Sequence, residues 1–206
     1  MQALTRTYRP DVLPKIYDRF GPVANCLTLS SFFYGGAVRD SLAGVPLVGD
    51  LDVCVADTGA EVSALLRRIY EGTANEWHMT ERAQANNPYN HNPAISRVIE
   101  CTNNSGLGMH IVKGQANAFD KTPRSAPARA LLIPKTVDIV CCGVAIDCWG
   151  FVYELIPGAI RDCHERLIRV IKVHATPATP ARVEKLRLRG YKIPDDYVAL
   201  IKGVSL

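Results

Sequence analysis

Between Phe33 and Asp57 the chain brings two kinds of chemistry close together, in the run FYGGAVRDSLAGVPLVGDLDVCVAD. Asp50 and Asp52 bracket a single residue. Alternate side chains of a strand share a face, so both carboxylates point the same way, about 6–7 Å apart at ~3.3 Å rise per residue. Two acids that close repel unless positive charge lies between them. An oxygen pair of this kind suits Mg²⁺, which takes one or two carboxylates together with substrate phosphates. Upstream, Gly35 and Gly36 follow an apolar run and offer backbone N–H groups, and residues 37–43 offer a helix N-terminus; both bind anions. Phosphate on one side and paired carboxylates on the other imply metal-dependent phosphoryl or nucleotidyl transfer. The plainer alternative is a strand, a tight turn and a capped helix, with Asp50 and Asp52 as solvated turn acids. Against it, Leu51, Val53 and Val55 alternate with Asp50, Asp52 and Cys54, which gives the acids one face of a strand whose other face is core.

Two-metal chemistry of this type uses a third carboxylate, expected on a neighbouring strand later in the chain. Asp138, in KTVDIVCC, is the first candidate, because an acid inside so apolar a segment is costly unless paired or metal-bound. A salt bridge from Asp138 to Arg39 or Lys113 is the structural alternative. Glu100, in RVIECT, is the second candidate for the third ligand.

The elements that must position these groups follow from periodicity and punctuation. Residues 10–20 read as a helix with Gly21 beyond its end, and 26–34 as a strand leading into the glycine pair. Residues 39–43 read as a short helix stopped by Gly44, and 49–56 as the strand carrying both acids. Val62, Leu65, Leu66 and Ile69 make 61–70 an amphipathic helix ended by Gly72. Residues 81–94 are polar and rich in Asn and Pro, a loop. Residues 96–102 and 109–113 flank NNSGLG and read as a hairpin. A second loop over 115–134 carries Lys121, Arg124 and Arg129. Residues 136–147 read as an apolar strand pair or a bulged strand, with Asp147 opening a turn. Helices are expected over 161–173 and 182–189, and a last helical turn or two over 195–202. No internal repeat or low-complexity tract interrupts the pattern.

The segment YGGAVRDSLAG followed by GDLDV resembles the head of the DNA polymerase beta superfamily, and most closely the Gly-Gly-x-Val-Arg-Asp…Asp-x-Asp signature of CCA-adding enzymes and bacterial poly(A) polymerases. A small phage-type nucleotidyltransferase is a related possibility. The resemblance implies an α+β fold, a nucleotidyltransferase head with a central mixed β-sheet flanked by helices plus short C-terminal helices. It implies that Asp50, Asp52 and Asp138 bind two Mg²⁺ ions, and that Gly35, Gly36 and Arg39 hold the triphosphate of an NTP, with Asp40 orienting Arg39 or capping the helix. The implied reaction moves an NMP onto an acceptor hydroxyl, foremost an RNA or tRNA 3′ end, and releases pyrophosphate. Specific motif residues lie only between 34 and 57. The Arg-Arg-Asp and Glu-Asp-x-x-Arg motifs that follow in CCA-adding enzymes have no match here, and the helical neck, body and tail would need a longer chain. Full CCA synthesis is therefore not expected.

With 206 residues and 48% hydrophobic composition, the chain can build a proper core. Residues 1–175 are expected to form the nucleotidyltransferase domain, and 176–206 a basic helical extension packed on it. Arg182, Lys185 and Arg189 of that extension are candidates to track an RNA backbone; a solvated helix packed on the domain is the alternative. The net charge of +4 permits nucleic acid without demanding it. No apolar run approaches the ~20 residues of a membrane span. The first ten residues lack the apolar stretch of a signal peptide, and seven cysteines, mostly in apolar segments, read as reduced thiols. A cytoplasmic setting is expected. The spacing of Cys141, Cys142, Cys148, Cys163 and His164 fits no standard zinc pattern. Two readings from other classes accompany the enzyme: an inactive head used as a binding module, and a toxin- or defence-related modifier of host tRNA or protein.

Overall fold

The architecture grows outward from two short apolar strands, β2 (Ser31–Tyr34) and β3 (Leu51–Ala56), which pair antiparallel with Tyr34 opposite Asp52. The computed structural model describes residues 5–56, 58–74, 76–81, 95–114 and 125–195. The other strands are β1 (Thr5–Tyr8), β4 (Trp77–Glu81), β5 (Ile95–Asn103), β6 (Gly108–Gly114), β7 (Val144–Ile146) and β8 (Phe151–Glu154). They form one eight-stranded sheet in the order β1-β8-β7-β2-β3-β6-β5-β4. Among the described strands only β3 and β6 run parallel, so the sheet is mixed, and with its flanking helices the fold is α+β as expected. The helices are α1 (Val12–Phe20), α2 (Gly36–Ala43), α3 (Gly59–Gly72), α4 (Ala126–Ala130), α5 (Ala159–Glu165) and α6 (Thr179–Arg187).

Strand alternation sorts side chains into two cores. Phe33, Leu51, Val53, Val55, Ile111 and Ile146 enter the larger one, under α1, α2 and α3. Phe32, Tyr34, Cys54, Val112 and Ala145 enter the smaller one, beneath α4. Each fully buried aliphatic side chain contributes roughly 1.5–3 kcal/mol. Asp52 shares the smaller-core face with Tyr34 and Cys54, at the end where that face opens to solvent. Local signals fix the frame: Thr58 caps α3, its hydroxyl accepting the Glu61 N–H at 3.3 Å, and Gly44, left-handed at φ 65°, ends α2. In the β5–β6 turn, the Asn103 side chain accepts the N–H groups of Ser105 and Leu107. The turn expected at Asp147 forms likewise, its carboxylate accepting from the Trp149 and Phe151 N–H groups.

Several expectations are corrected. Residues 136–147 are not a strand pair: 3-10 turns occupy Ile133–Thr136 and Val140–Cys142, and only β7 joins the sheet. The segment is buried on both sides, and an apolar run of that kind carries no period that marks a strand. The helix expected over 161–173 stops at Glu165, where Arg166 turns left-handed at φ 54°. The chain then runs extended, and Ile168 N–H donates to Lys192 O. Backbone pairing with the distant tail there overrides the helical spacing of Leu167, Ile168 and Ile171. The loop expected over 115–134 contains α4 and a 3-10 turn in its described part. Strand β2 is shorter than the strand expected over 26–34, and β1, β4 and β8 were not expected. Most of the loop expected over 81–94, residues 115–124 and the turns expected over 195–202 lie outside the described residues. Val183, Leu186 and Tyr191 bring the C-terminal segment into the larger core. Among the described residues, no helix is long and apolar enough to cross a membrane.

Candidate active site

The site is built on the sharp turn from β2 into α2. Gly35 has φ 66° and ψ −129°, a conformation essentially reserved for glycine. Its N–H bonds to Val144 O at 3.3 Å, and its carbonyl accepts the first helical bond, from Arg39 N–H at 2.9 Å. The N–H groups of Gly36 and Ala37 therefore start α2 with no acceptor inside the helix. A Cβ on Gly35 would stand 3.6 Å from Asp52 Oδ2, and one on Gly36 would stand 3.7 Å from the Arg39 Nη2. The glycine pair thus keeps the space between the helix start and Asp52 clear.

Arg39 and Asp40 lie beneath this turn and are buried. Arg39 Nε donates to Asp40 Oδ1 at 2.7 Å and Nη1 donates to Cys142 Sγ at 3.2 Å. The guanidinium also stacks on the Tyr191 ring, 5.4 Å from its centroid. Asp40 accepts two further bonds, from Arg189 Nη1 at 2.7 Å and from the Tyr191 hydroxyl at 3.1 Å. Asp40 therefore orients Arg39 and ties α2 to the C-terminal segment. Capping, the other expected role, falls to the backbone of Gly35.

Across the cleft stand the acids. Asp52 lies within β3, whereas Asp50 falls one residue before the strand, correcting the expected strand start. Parallel pairing sets His110 opposite Asp52, and antiparallel pairing sets Glu100 opposite His110. The three side chains form a row: His110 Nδ1 is 3.2 Å from Asp52 Oδ1, and Nε2 is 3.2 Å from Glu100 Oε1. Asp50, half exposed, places Oδ2 3.9 Å from the same Nε2. Its carboxylate rests against Gly108, where any Cβ would collide with it. The hydrogen bond to Asp52, with the charges of Asp52, Asp50 and Glu100, holds the His110 imidazole protonated above its usual range, against the opposing effect of partial burial.

Asp138 is not on a neighbouring strand. It sits beside the 3-10 turn at Val140–Cys142, 3% exposed. Its Oδ2 accepts the Thr179 hydroxyl at 2.6 Å and its Oδ1 accepts Arg182 Nη1 at 2.9 Å. The salt bridge foreseen as its alternative exists, with Arg182 in place of Arg39 or Lys113. Helix α6 and the residues after it form a wall of the same cleft, lined by Arg182, Lys185 and Arg189, the first two of them also exposed. Arg189 is engaged by Asp40 and by Val48 O. The cleft encloses about 260 Å³ and is lined by Gly35, Gly36, Arg39, Asp50, Asp52 and Asp138 as well as these basic residues. Asp40 lies behind this lining.

Sequence reasoning missed four participants: His110, Cys142, Thr179 and Tyr191. His110 had a weak signal, as the polar residue inside the apolar segment MHIV. Cys142 lines the cleft, and the hydrogen bond from the Cys141 thiol together with the Arg39 guanidinium lowers its thiol below the usual range.

The oxygen-rich pair Asp50 and Asp52 fits a divalent cation, with nucleotide phosphates completing its ligands. Among the described residues, no three His, Cys, Asp or Glu side chains stand together as a ready-made cage.

Compared by sequence, the chain matches no protein-family model and no curated protein. Compared by structure, it is similar to a CCA-adding enzyme in apo form I, with a TM-score of 0.62 and 18% identity over 96% of this chain and 45% of that one. It is likewise similar to the Thermotoga maritima CCA-adding enzyme solved with tRNA, with a TM-score of 0.61 and 17% identity over 98% and 45% of the two chains. A CCA-adding enzyme solved with ATP gives 0.61 and 17%, over 95% and 45%. The chain spans about 45% of the length of these neighbours. Its fold is that of the nucleotidyltransferase head of CCA-adding enzymes, in agreement with the resemblance carried by Gly35 to Asp52.

Proposed function

We propose that this protein is a Mg²⁺-dependent nucleotidyltransferase that moves an NMP from an NTP to an acceptor hydroxyl, foremost at the 3′ end of an RNA or tRNA. The observation that carries the reading is the single cleft in which the start of α2, Arg39, Asp50 and Asp52 meet. The N–H groups of Gly36 and Ala37 take phosphate oxygens, and Arg39, set behind them, adds a fixed positive charge. Asp50 and Asp52 hold the divalent cations, two by analogy with this chemistry. Bound there, such ions stabilise charge on the α-phosphate and acidify the attacking hydroxyl. The acceptor oxygen forms its bond to the α-phosphorus, the bond to the bridging β-phosphate oxygen breaks, pyrophosphate leaves, and the hydroxyl proton is released to solvent.

The remaining candidates divide by their partners. Asp138, engaged by Thr179 and Arg182, is assigned to fixing α6 as the cleft wall. Glu100 is the further acid in register with Asp52, acting through His110. Arg182, partly exposed, and Lys185, whose Nζ lies 4.0 Å from the Cβ position of Gly49, offer charge to nucleotide or RNA phosphates. Arg189 is assigned to the frame through Asp40. The ATP- and tRNA-bound states of the neighbours support NTP and RNA as the partners to try first.

The test incubates the protein with each α-³²P-labelled NTP, Mg²⁺ and total RNA, comparing wild type with Asp52→Asn. Label entering RNA and lost in the variant supports the reading. Label entering protein instead makes it a protein modifier. Mg²⁺-dependent NTP binding with no transfer from any NTP refutes the enzyme and leaves a binding module.

A further inference from the structure

Metal sites for nucleotidyl transfer need oxygen ligands, yet here an imidazole is wedged into the carboxylate row. Three adjacent strands, β3, β6 and β5, bring Asp52, His110 and Glu100 to one level by register. This placement is set by backbone pairing and not by a mobile loop. Two ligands bound side by side on one ion, at ~2.1 Å each, stand about 3 Å apart. The 3.2 Å between His110 Nδ1 and Asp52 Oδ1 is that spacing. On the other side of the ring, Nε2 lies 3.2 Å from Glu100 Oε1. Metal-binding histidines almost always donate their second ring N–H to a carboxylate or carbonyl, which fixes the tautomer and raises ligand basicity.

We propose that His110 is itself a metal ligand through Nδ1 beside Asp52, oriented by Glu100 at Nε2, and that this mixed nitrogen–oxygen centre, with Asp50 on the Nε2 side of the ring, prefers a first-row transition ion such as Mn²⁺ to Mg²⁺. The inference rests on the proposed metal-dependent reading of the cleft and deepens it. The side chains are not preassembled as a cage; the ring's contact with Asp52 is the one an ion replaces, while the contact with Glu100 is kept. Carboxylates accept Mg²⁺, Ca²⁺ and Mn²⁺ alike, whereas an imidazole favours transition ions. Glu100 on this account is a positioning residue, not a third ligand, and the nitrogen donor sets the preference.

The probe is Mn²⁺ added to the full, metal-stripped chain, followed by electron paramagnetic resonance. Continuous-wave titration gives affinity, pulsed measurement detects nitrogen bound to the ion, and Mg²⁺ is then added as competitor. Wild type is expected to show coupling to one imidazole nitrogen and to hold Mn²⁺ against excess Mg²⁺. His110→Ala is expected to lose the coupling and more than the roughly ten- to hundredfold in Mn²⁺ affinity that follows removal of a group merely supporting a metal ligand. His110→Glu is expected to lose the coupling, retain binding and let Mg²⁺ compete. Because it keeps a polar side chain of similar length on the same strand position, it covers the case in which His110→Ala folds poorly. Glu100→Gln is expected to keep the coupling with weakened affinity. Bound Mn²⁺ without nitrogen coupling in wild type overturns the proposal, as does unchanged affinity in His110→Ala or no Mn²⁺ binding at all. Nitrogen-coupled Mn²⁺ without nucleotide transfer refutes the enzyme but not the ligand. Mg²⁺-supported transfer with no nitrogen coupling refutes the ligand and leaves the enzyme.

Discussion

Replacing Asp40 by Asn should cost this protein much of its stability although it changes only one polar atom. Asp40 is fully buried and receives three donors, Arg39 Nε, Arg189 Nη1 and the Tyr191 hydroxyl. An amide has one accepting atom and one donating atom, so at least one guanidinium would face another donor. The lost charge also leaves the Arg39 side chain, 7% exposed, without its counterion. Removing one partner of a buried pair costs about 3–5 kcal/mol, a large share of the ~5–15 kcal/mol that holds a typical domain. For a chain of this size, ~2–4 °C per kcal/mol turns that into a fall of about 6–20 °C in Tm. Urea unfolding followed by circular dichroism measures it, with the half-exposed Asp50→Asn as a control expected near wild type or slightly above. Arg189→Met combined with Asp40→Asn should cost less than the sum of the two, because both cut the same contact. A loss below about 0.5 kcal/mol for Asp40→Asn, the level of an ordinary surface change, would refute the role given to this carboxylate.

Other outcomes follow from the same geometry. Gly35→Ala should lose about 1–3 kcal/mol to backbone strain and weaken NTP binding, whereas Gly44→Ala, left-handed but with open space around it, should leave NTP binding intact; thermal unfolding and nucleotide titration separate the two. Gly108→Ala should displace the Asp50 carboxylate and weaken divalent-cation binding by roughly tenfold or more, with folding close to wild type by circular dichroism. Cys142 should be the cysteine most readily alkylated by iodoacetamide, since Cys26, Cys54, Cys101, Cys141 and Cys163 are buried. Thiolate is the reacting form, so its labelling should reach a plateau at a pH below that of an ordinary thiol and fall as pH drops through the lowered value. Bound NTP should protect it, and peptide mapping by mass spectrometry reads both effects. Burial and the Asp147 charge raise the Cys148 thiol, which should label only at higher pH.

What the sequence revealed of the site was its local part. Gly35, Gly36, Asp50 and Asp52 lie within one strand–turn–helix–strand unit, where backbone requirements and strand alternation act over a few residues. Glu100 and His110 were legible in principle, because a hairpin turning at NNSGLG sets them opposite each other. That the same hairpin would run parallel to β3, and so set His110 beside Asp52, is a matter of sheet order that no local pattern encodes. The role of Asp138 was hidden for a similar reason: Thr179 and Arg182 lie 41 and 44 residues away. The apolar run around it suggested a strand because two-sided burial and strand burial look alike in composition. Residues 166–171 fitted a helix by spacing, and the bond from Lys192 N–H to Arg166 O at 2.7 Å shows which pairing prevailed.

The tie between Arg189 and Asp40 spans 149 positions of sequence. On a ribosome adding ~5–20 residues per second, α2 would wait about 7–30 s for that partner. Through this interval Asp40 would have only its neighbour Arg39, and the cleft would lack the wall supplied by α6. The glycine turn and both aspartates are thus made well before α6 and the residues after it, which complete the frame around them. A product clipped before α6 would carry the whole recognisable motif and yet lack that wall of the cleft and the Arg189 and Tyr191 bonds to Asp40.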